Sequence, residues 1–300
     1  LKRHKGGNKL NQDTVKPQVK KVLLIIAMFF LSLIMLFPFI LMLSTSLKTD
    51  AELLNPGFRM IPKVWMFENY KIAMRMGNWP LYFWNSFVIT GLSVAISLVI
   101  NSTAGYAFAR LKFKGRDFLF FAALVGMMVP QQVSMVPLFA ILRKIPLAGG
   151  NNWFGNGGHG FVDSYWGMIL PYIAGAFGVF LFRQFFMNFP SSLDDAAKID
   201  GLGRVKAFYH IYMPLSLPVF ATLAALKSTQ VWSEYTWPLI ITQTESMKTV
   251  QLALTMFKSE YEIHWNLLMA ATTLITLPLI AIFLGAQKYF VEGIATTGMK

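Results

Sequence analysis

Six apolar runs decide what this chain can fold into. They cover residues 22–46, 84–109, 118–142, 165–187, 216–241 and 266–290. Each is long enough to cross a hydrocarbon core of about 30 Å, which takes about 20 helical residues. Lipid offers no partner for an unpaired backbone amide, so runs of this kind must close their hydrogen bonds internally, as helices do. The expected fold class is an all-α membrane protein with six transmembrane helices. Composition agrees: 55% of the 300 residues are hydrophobic and 14% are charged, against about 25% charged in soluble domains. The first run follows a basic stretch. At 25 residues it exceeds the apolar core of a signal peptide, and no small-x-small cleavage pattern follows it, so it is expected to remain as the first span.

The net charge is +13. These charges stand between the apolar runs, which points to the anionic face of a membrane as partner rather than to nucleic acid. The tail 1–21, the 110–117 loop, the end of the fourth run with the segment after it, and the C-terminal end together hold 17 Lys and Arg; the remaining loops hold nine, and Lys227 lies inside the fifth run. This bias predicts both termini in the cytoplasm, as an even number of spans requires. The expected division is a cytoplasmic basic tail at 1–21, a six-helix domain at 22–290 containing a long cytoplasmic loop at 188–214, and a cytoplasmic C-terminal tail at 291–300. With no cysteine, disulfides and thiolate chemistry are excluded. The four histidines, His4, His159, His210 and His264, stand at no metal-ligand spacing.

The 188–214 loop is too long and too patterned for a simple turn. Pro190 followed by Ser191 and Ser192 is a helix start, with a hydroxyl to serve as N-cap. Asp194 and Asp195 fall in the first turn, where the helix dipole favours anions. Lys198 stands four residues after Asp194. Gly201 and Gly203 punctuate, and a second amphipathic stretch, 204–213, is expected to end at Pro214. Two readings of this helix pair follow from the residues: a rigid peg for a groove in a cytosolic partner, or an amphipathic hairpin lying in the interface.

The same stretch resembles the EAA loop of binding-protein-dependent ABC importer permeases. Asp195, Ala196, Ala197, Lys198, Ile199, Asp200, Gly201 and Leu202 fill its core, and Phe208, Ile211, Met213 and Pro214 fill the remainder. Asp195 replaces the usual Glu, and Leu202 replaces a small Ala. Further motifs resemble the same family: Ser46–Asp50, Asn69-Tyr70, Asn85-Ser86, Gly105–Arg110 with Phe113 and Gly115-Arg116, Pro130-Gln131-Gln132-Val133 with Pro137, Trp232-Ser233-Glu234 with Trp237-Pro238-Leu239, and Phe290–Gly293 with Gly298–Lys300. Together they resemble the sugar-importing branch and its smaller maltose-type permease subunit. The resemblance implies a type I importer fold in a bacterial inner membrane. It also implies coupling to the ATPase through Asp194, Asp195, Ala196, Ala197, Asp200, Gly201, Leu202, Phe208 and Pro214. The implied partners are a second permease subunit, two ATP-binding subunits, an extracytoplasmic solute-binding protein and a sugar or oligosaccharide. The solute-binding protein is expected against the 47–83 and 243–264 segments.

No G-x-x-x-x-G-K-[ST] is present, so ATP and Mg belong to the partner ATPase and this chain is expected to bind no cofactor. The Gly-rich run Gly149–Gly160 reads as a flexible external loop. Trp232, Glu234, Tyr235, Pro130 and Gln131 are candidates for the substrate pathway. Glu234 reads as either a gating group or a structural hydrogen-bond partner. Trp232, Tyr235 and Trp237 read as either a sugar-stacking surface or an interfacial aromatic belt. Lys227 and Glu234 stand seven apart, so direct pairing is not expected. A membrane-embedded enzyme would need more intramembrane carboxylates or histidines than one Glu. A stand-alone carrier or channel would not need the patterned loop, and no matching breaks mark an internal repeat: Pro130, Pro171 and Pro238 fall out of register. Five Lys and Arg in 47–83 share that loop with two Glu and one Asp, so the charge of the cargo is not set by it.

Overall fold

A computed structural model of the chain describes residues 10–297 apart from 56, 58, 260 and 261. Residues 1–9 of the basic tail, with His4, and Gly298–Lys300 of the last motif lie outside the described residues. The chain begins with α1 (Leu10–Ser46), followed by α2 (Asp50–Leu54), α3 (Glu68–Arg75) and α4 (Trp79–Arg110). Next come α5 (Arg116–Gly126) and α6 (Gln131–Arg143), then α7 (Tyr165–Ile169), extended by a 3-10 turn at Leu170–Tyr172, and α8 (Ala176–Met187). The loop that follows holds α9 (Ser192–Ile199), α10 (Arg204–Ala207), a π-turn at Phe208–Tyr212 and α11 (Met213–Leu215). Then come α12 (Leu217–Trp232), α13 (Thr236–Ile241), α14 (Val250–Ala253) and α15 (Trp265–Thr297).

Among the described residues, three helices are long and apolar enough to cross a membrane unbroken, within Lys20–Ser46, Trp79–Arg110 and Trp265–Lys288, and three more spans follow if each bent pair counts as one. The bends are 102° between α5 and α6, 44° between Tyr165–Tyr172 and α8, and 78° between Arg204–Leu215 and α12. Prolines explain two of them. Pro130 caps α6, and Pro171 lies in the 3-10 turn before the 44° bend. Neither can donate a backbone hydrogen bond to the preceding turn. The fifth run, expected as one span over 216–241, is two helices. Its break falls at Ser233–Tyr235, ahead of Pro238, which occupies the first turn of α13, where a missing N–H costs nothing.

The chain divides into two units, residues 1–73 with 261–273 and residues 74–260 with 274–300. In the first, α1 exposes the consecutive Val22, Leu23, Leu24, Ile25 and Ile26, and so is apolar on every side, a surface that water would not tolerate and lipid does. Past its end, two of the sequence motifs meet. The Asn69 amide donates to the carbonyls of Ser46 and Lys48 at 2.9 and 2.8 Å, and the hydroxyls of Ser46 and Tyr70 lie 2.8 Å apart.

In the second unit α4 packs along α8 and α12. Its buried face is a stripe of small and polar residues, Ser93, Ser97, Asn101 and Gly105, one turn apart. Small residues let membrane helices approach closely, where dispersion replaces the hydrophobic effect that lipid cannot supply. A Cβ on Gly105 would stand 2.5 Å from the Phe182 Cβ, and one on Gly178 would stand 2.7 Å from the Asn101 side chain. The α4–α8 crossing therefore requires glycine on both helices. The run Gly149–Gly160, expected as a flexible loop, is folded instead. The Asn151 amide donates to the carbonyls of Arg143 and Ile145, both at 2.9 Å, and its oxygen accepts from the Gly158 N–H. The glycines supply the left-handed backbone this needs, Gly155 at φ 72° and Gly157 at φ 100°.

Candidate functional site: a clamped loop at the end of the second long helix

The 188–214 loop is seated on the last turns of α4 and on α8. Tyr106, Phe182, Phe186, Phe208, Tyr212, Val219 and Leu223 form one buried cluster beneath it. Phe208 and Tyr212 are the loop's contributions, 3% and 0% exposed. Tyr106 meets both rings, at 5.2 and 5.0 Å between centroids, and its hydroxyl donates to the Arg204 carbonyl at 3.2 Å. Tyr106 and Arg110 are one turn apart, so both rise toward the loop from one face of α4.

Arg110 does most of the holding. Its guanidinium pairs with the Asp194 carboxylate at 3.2 Å, with its side chain only 10% exposed, and a second nitrogen donates to the Phe189 carbonyl. The same group lies over the Tyr212 ring, 5.3 Å from its centre. The Tyr212 hydroxyl donates to the other Asp194 oxygen at 2.5 Å. Burial pushes the Tyr212 phenol well above its ordinary value, and the bond to the Asp194 carboxylate pushes the same way. The phenol therefore stays protonated and remains a donor across the neutral range.

The spacing expectation for Asp194 is corrected here. Asp194 does not pair with Lys198. Lys198 reaches Asp195 at 3.0 Å instead, both groups being largely exposed. Asp194 points inward because Arg110 and Tyr212 offer it a charge and a hydroxyl, which a surface lysine cannot match. The expected hydroxyl cap is also absent: Ser191 is helical at φ −64° and makes no side-chain cap bond. Nor does Pro214 end the second stretch, since helix continues through Leu215. Pro214 cannot donate to the carbonyl at 210, and the widened turn at Phe208–Tyr212 just precedes it.

The turn between the two helices is a Schellman motif. The Leu202 N–H bonds to the Ala197 carbonyl at 2.8 Å and the Gly201 N–H to the Lys198 carbonyl at 3.0 Å. Gly201 sits at φ 69°, while Gly203 is extended at φ −67°. Leu202, half-buried, supplies the apolar contact such turns favour. Ala197 is buried under α9. The outward face of the loop carries Asp195, Ala196, Ile199 and Asp200, with Val205 beyond; Ile199 is 86% and Val205 70% exposed. The expected coupling residues thus separate into anchors (Asp194, Ala197, Phe208) and presented groups (Asp195, Ala196, Asp200).

The opposite end of α4 is tied differently. The Asn85 amide donates to the Ser246 and Lys248 carbonyls at 2.8 and 2.9 Å, and Tyr165 donates to its oxygen at 2.6 Å. Ser86 accepts from the Val250 N–H at 3.0 Å. Asp163 accepts from the N–H groups of Gln243 and Thr244 at 2.9 and 3.1 Å and from the Thr244 hydroxyl at 2.7 Å. Burial raises the Asp163 carboxyl, but these donors, with His159 nearby, outweigh it and hold the carboxyl below its ordinary range. The sequence signalled Asn85-Ser86 as a motif; Asp163 carried no local signal.

The pathway candidates do not converge. Gln131 lines a cavity of about 430 Å³ with Trp237, Tyr172 and Lys227, whereas Pro130, Trp232, Glu234 and Tyr235 do not line it. Trp232, expected as the deepest pathway group, is packed shut at 2% exposure, against Phe87 at 4.9 Å, with its Nε1 donating to the Ile275 carbonyl at 3.1 Å. Glu234 accepts from the N–H groups of Thr236 and Trp237 at 2.9 and 3.1 Å, which caps α13. Tyr235 is exposed.

Residues 101–296 match the family model described as "Binding-protein-dependent transport system inner membrane component". The arabinooligosaccharides transport system permease protein AraQ of Bacillus subtilis (strain 168) is 35% identical, over 95% of this chain and 98% of its own length. The probable starch degradation products transport system permease protein AmyC of Thermoanaerobacterium thermosulfurigenes is 32% identical, over 95% and 99%. A crystal structure of a bacterial ABC transporter that imports the acidic polysaccharide alginate contains a chain with the same fold, at TM-score 0.73 and 22% identity, covering 96% of this chain and all of that one. With relatives aligned over nearly their whole length, this chain belongs to the binding-protein-dependent transport system inner membrane component family, as the membrane permease of an ABC importer, with ATP hydrolysis left to a separate subunit.

Proposed function

We propose that the chain forms one half of the translocation pathway of a sugar or oligosaccharide importer and takes its power stroke through the 188–214 loop. The observation that carries this reading is the division of that loop. Its inner face is clamped to α4 by Arg110, Asp194 and Tyr212, and its outer face leaves Ile199 and Val205 bare. An apolar ridge rimmed by Asp195 and Asp200 suits a groove on a partner. A clamp that joins it to a 32-residue helix suits the transfer of a rigid-body displacement. Relatives named for arabinooligosaccharide and starch-product transport support a carbohydrate cargo.

In this reading a second permease subunit completes the path. Two ATP-binding subunits, holding ATP and Mg, seat the loops of both permeases. A solute-binding protein delivers the cargo to the 47–83 and 243–264 segments. The charge bias of the flanks supports both termini, with tails 1–21 and 291–300, on the cytoplasmic side of a bacterial inner membrane around the 22–290 domain. Closure of the ATPases on ATP favours one arrangement of the clamped helices and ADP release the other, so the cavity changes side by population shift.

The test is coupling. Gly201→Val forces a β-branched side chain into φ 69°, a strain of about 1–2 kcal/mol, and should leave the subunits assembled while transport per ATP hydrolysed falls several-fold. Asp195→Lys should weaken ATPase docking. Normal transport stoichiometry and normal ATPase retention in both variants would count against the assignment.

A further inference from the structure

The 430 Å³ cavity has an electrostatic character that the family assignment does not supply. None of its lining residues is Asp or Glu. Lys227 reaches it from α12, and among the described residues no carboxylate comes within ion-pair distance of its amine. The amine donates to the Gln230 side-chain oxygen at 3.2 Å and lies 5.8 Å from the centre of the Tyr172 ring. A lysine within a span is costly to insert, by about 2.5–3.5 kcal/mol, and persists where it has a function or a partner.

Two helices also begin at this cavity. Ala176, Phe177 and Gly178, the first turn of the 12-residue α8, line it. So do Gln131 and Ser134, from the first turn of the 13-residue α6. Neither helix has a side-chain cap bond at its start. Their first N–H groups have no intrahelical acceptor, and the dipole makes each start partly positive. Gly175 brings bare backbone alongside, since a Cβ there would lie 3.9 Å from the Lys227 amine. The wall adds a phenol: Tyr172 is 2% exposed, its hydroxyl lies beside Gln131, and the Glu234 carboxylate is near enough to act on it. An ammonium, two helix starts and a phenol meet here, and the carboxylate that acts on them, Glu234, is already held by the N–H groups of Thr236 and Trp237, so the ammonium is left to a ligand.

We propose that Lys227, with Tyr172 and the starts of α6 and α8, binds an anionic group on the transported carbohydrate, a carboxylate or a phosphate. This rests on the importer reading above and names its substrate class. The cavity volume suits one or two sugar rings. Gln131 and Gln230 in the same wall are exposed and offer neutral polar contacts to hydroxyls. Charge selection then falls to Lys227, because a site left with an unpaired cation rejects a neutral analogue.

The experiment uses the complete importer with its solute-binding protein, reconstituted in proteoliposomes. Uptake is measured for trigalacturonate, sn-glycerol 3-phosphate and neutral arabinotriose in the native complex and in the Lys227→Met, Lys227→Arg and Tyr172→Phe variants. Lys227→Met should lower uptake of the anionic cargo about 10- to 100-fold, the worth of one charge-assisted bond. Lys227→Arg should keep uptake within about threefold. Tyr172→Phe should lower it less than Lys227→Met, with binding-protein-stimulated ATPase activity retained throughout. Whichever of trigalacturonate and glycerol phosphate is carried separates the two anion sources. Arabinotriose carried at full rate by both the native complex and Lys227→Met would overturn this inference and leave the importer reading standing. Equal losses for neutral and anionic cargo in Lys227→Met, or failure of that variant to assemble while Lys227→Arg assembles without anion uptake, would assign Lys227 to contact with the second permease and also overturn it. Uptake of no carbohydrate at all, with ATPase activity intact, would remove the importer reading itself.

Discussion

The two ends of α4 solve one problem in different ways. Each must hold a loop in a fixed place against the helices. At the end near Trp79 the hold is chiefly on backbone, since Asn85 and Ser86 bind main-chain atoms at 246, 248 and 250, and the Tyr82–Glu245–Lys248 cluster beside them is open to solvent, its carboxylate 59% exposed. At the Arg110 end, a charged group, a carboxylate and a phenol close on one another over an aromatic cluster. Backbone ties fix a loop's path whatever its side chains do. A side-chain clamp fixes the loop as a body and frees its outer face for a partner. That difference teaches which end is built to transmit force and which to stay put.

The largest expected effect tests the clamp. Asp194→Asn keeps the shape but removes the charge opposite Arg110, whose side chain is 10% exposed. Leaving a nearly buried guanidinium without its anion costs about 3 kcal/mol. The loop should release, seen as faster amide exchange over 192–212 and loss of bound ATPase in pull-down, while the 243–250 segment keeps its exchange rates. Equal loosening at both ends would show that the two ends are not independently tied.

Next in size is Asn85→Ala, which strips the carbonyls of 246 and 248 of their donor, for about 2 kcal/mol. The expected result is the mirror image, with exchange rising at 243–250 and ATPase binding unchanged. Acid should act on the same end through Asp163. Its carboxyl is held below the ordinary 3.8, so its contribution is fully present above that value and is lost as pH falls through the depressed one. Protection at 243–244 should therefore fade below about pH 4 in the native protein and be flat with pH in Asp163→Asn.

Most of this fold could be read from the residues, and the reasons differ by place. The unbroken spans were legible because apolar length is a local property, and α1, α4 and α15 overlap the runs expected at 22–46, 84–109 and 266–290. The turn at Gly201 was legible because only glycine takes φ 69° cheaply. What local pattern could not give was partner choice across the fold. Asp194 stands four residues before Lys198, and helical spacing favours that pair, yet Arg110, 84 residues away, takes the carboxylate. Trp232 looked deep in its span, but the breaks at 127–130, 173–175 and 233–235 set which side chains reach the cavity, and they shut Trp232 away. The stripe from Ser93 to Gly105 was visible as residues but acquires meaning only with α8 against it.

The smallest effect on stability belongs to the Lys198–Asp195 pair, and it sharpens the contrast most. The two groups are 3.0 Å apart with side chains 74% and 67% exposed. An exposed pair of this kind contributes about 0.2–1 kcal/mol and is screened by salt. Lys198→Ala should therefore leave the melting temperature of the purified complex unchanged within about 1 °C. It also frees Asp195 on the presented face, next to the bare ridge at Ile199. If that face is where a partner docks, the variant should alter ATPase affinity, and its salt dependence, with no change in exchange rates at 192–212. A variant that melts earlier and binds the ATPase normally would invert the division of labour within α9, making the outer pair structural and leaving the Arg110 clamp without a face to present.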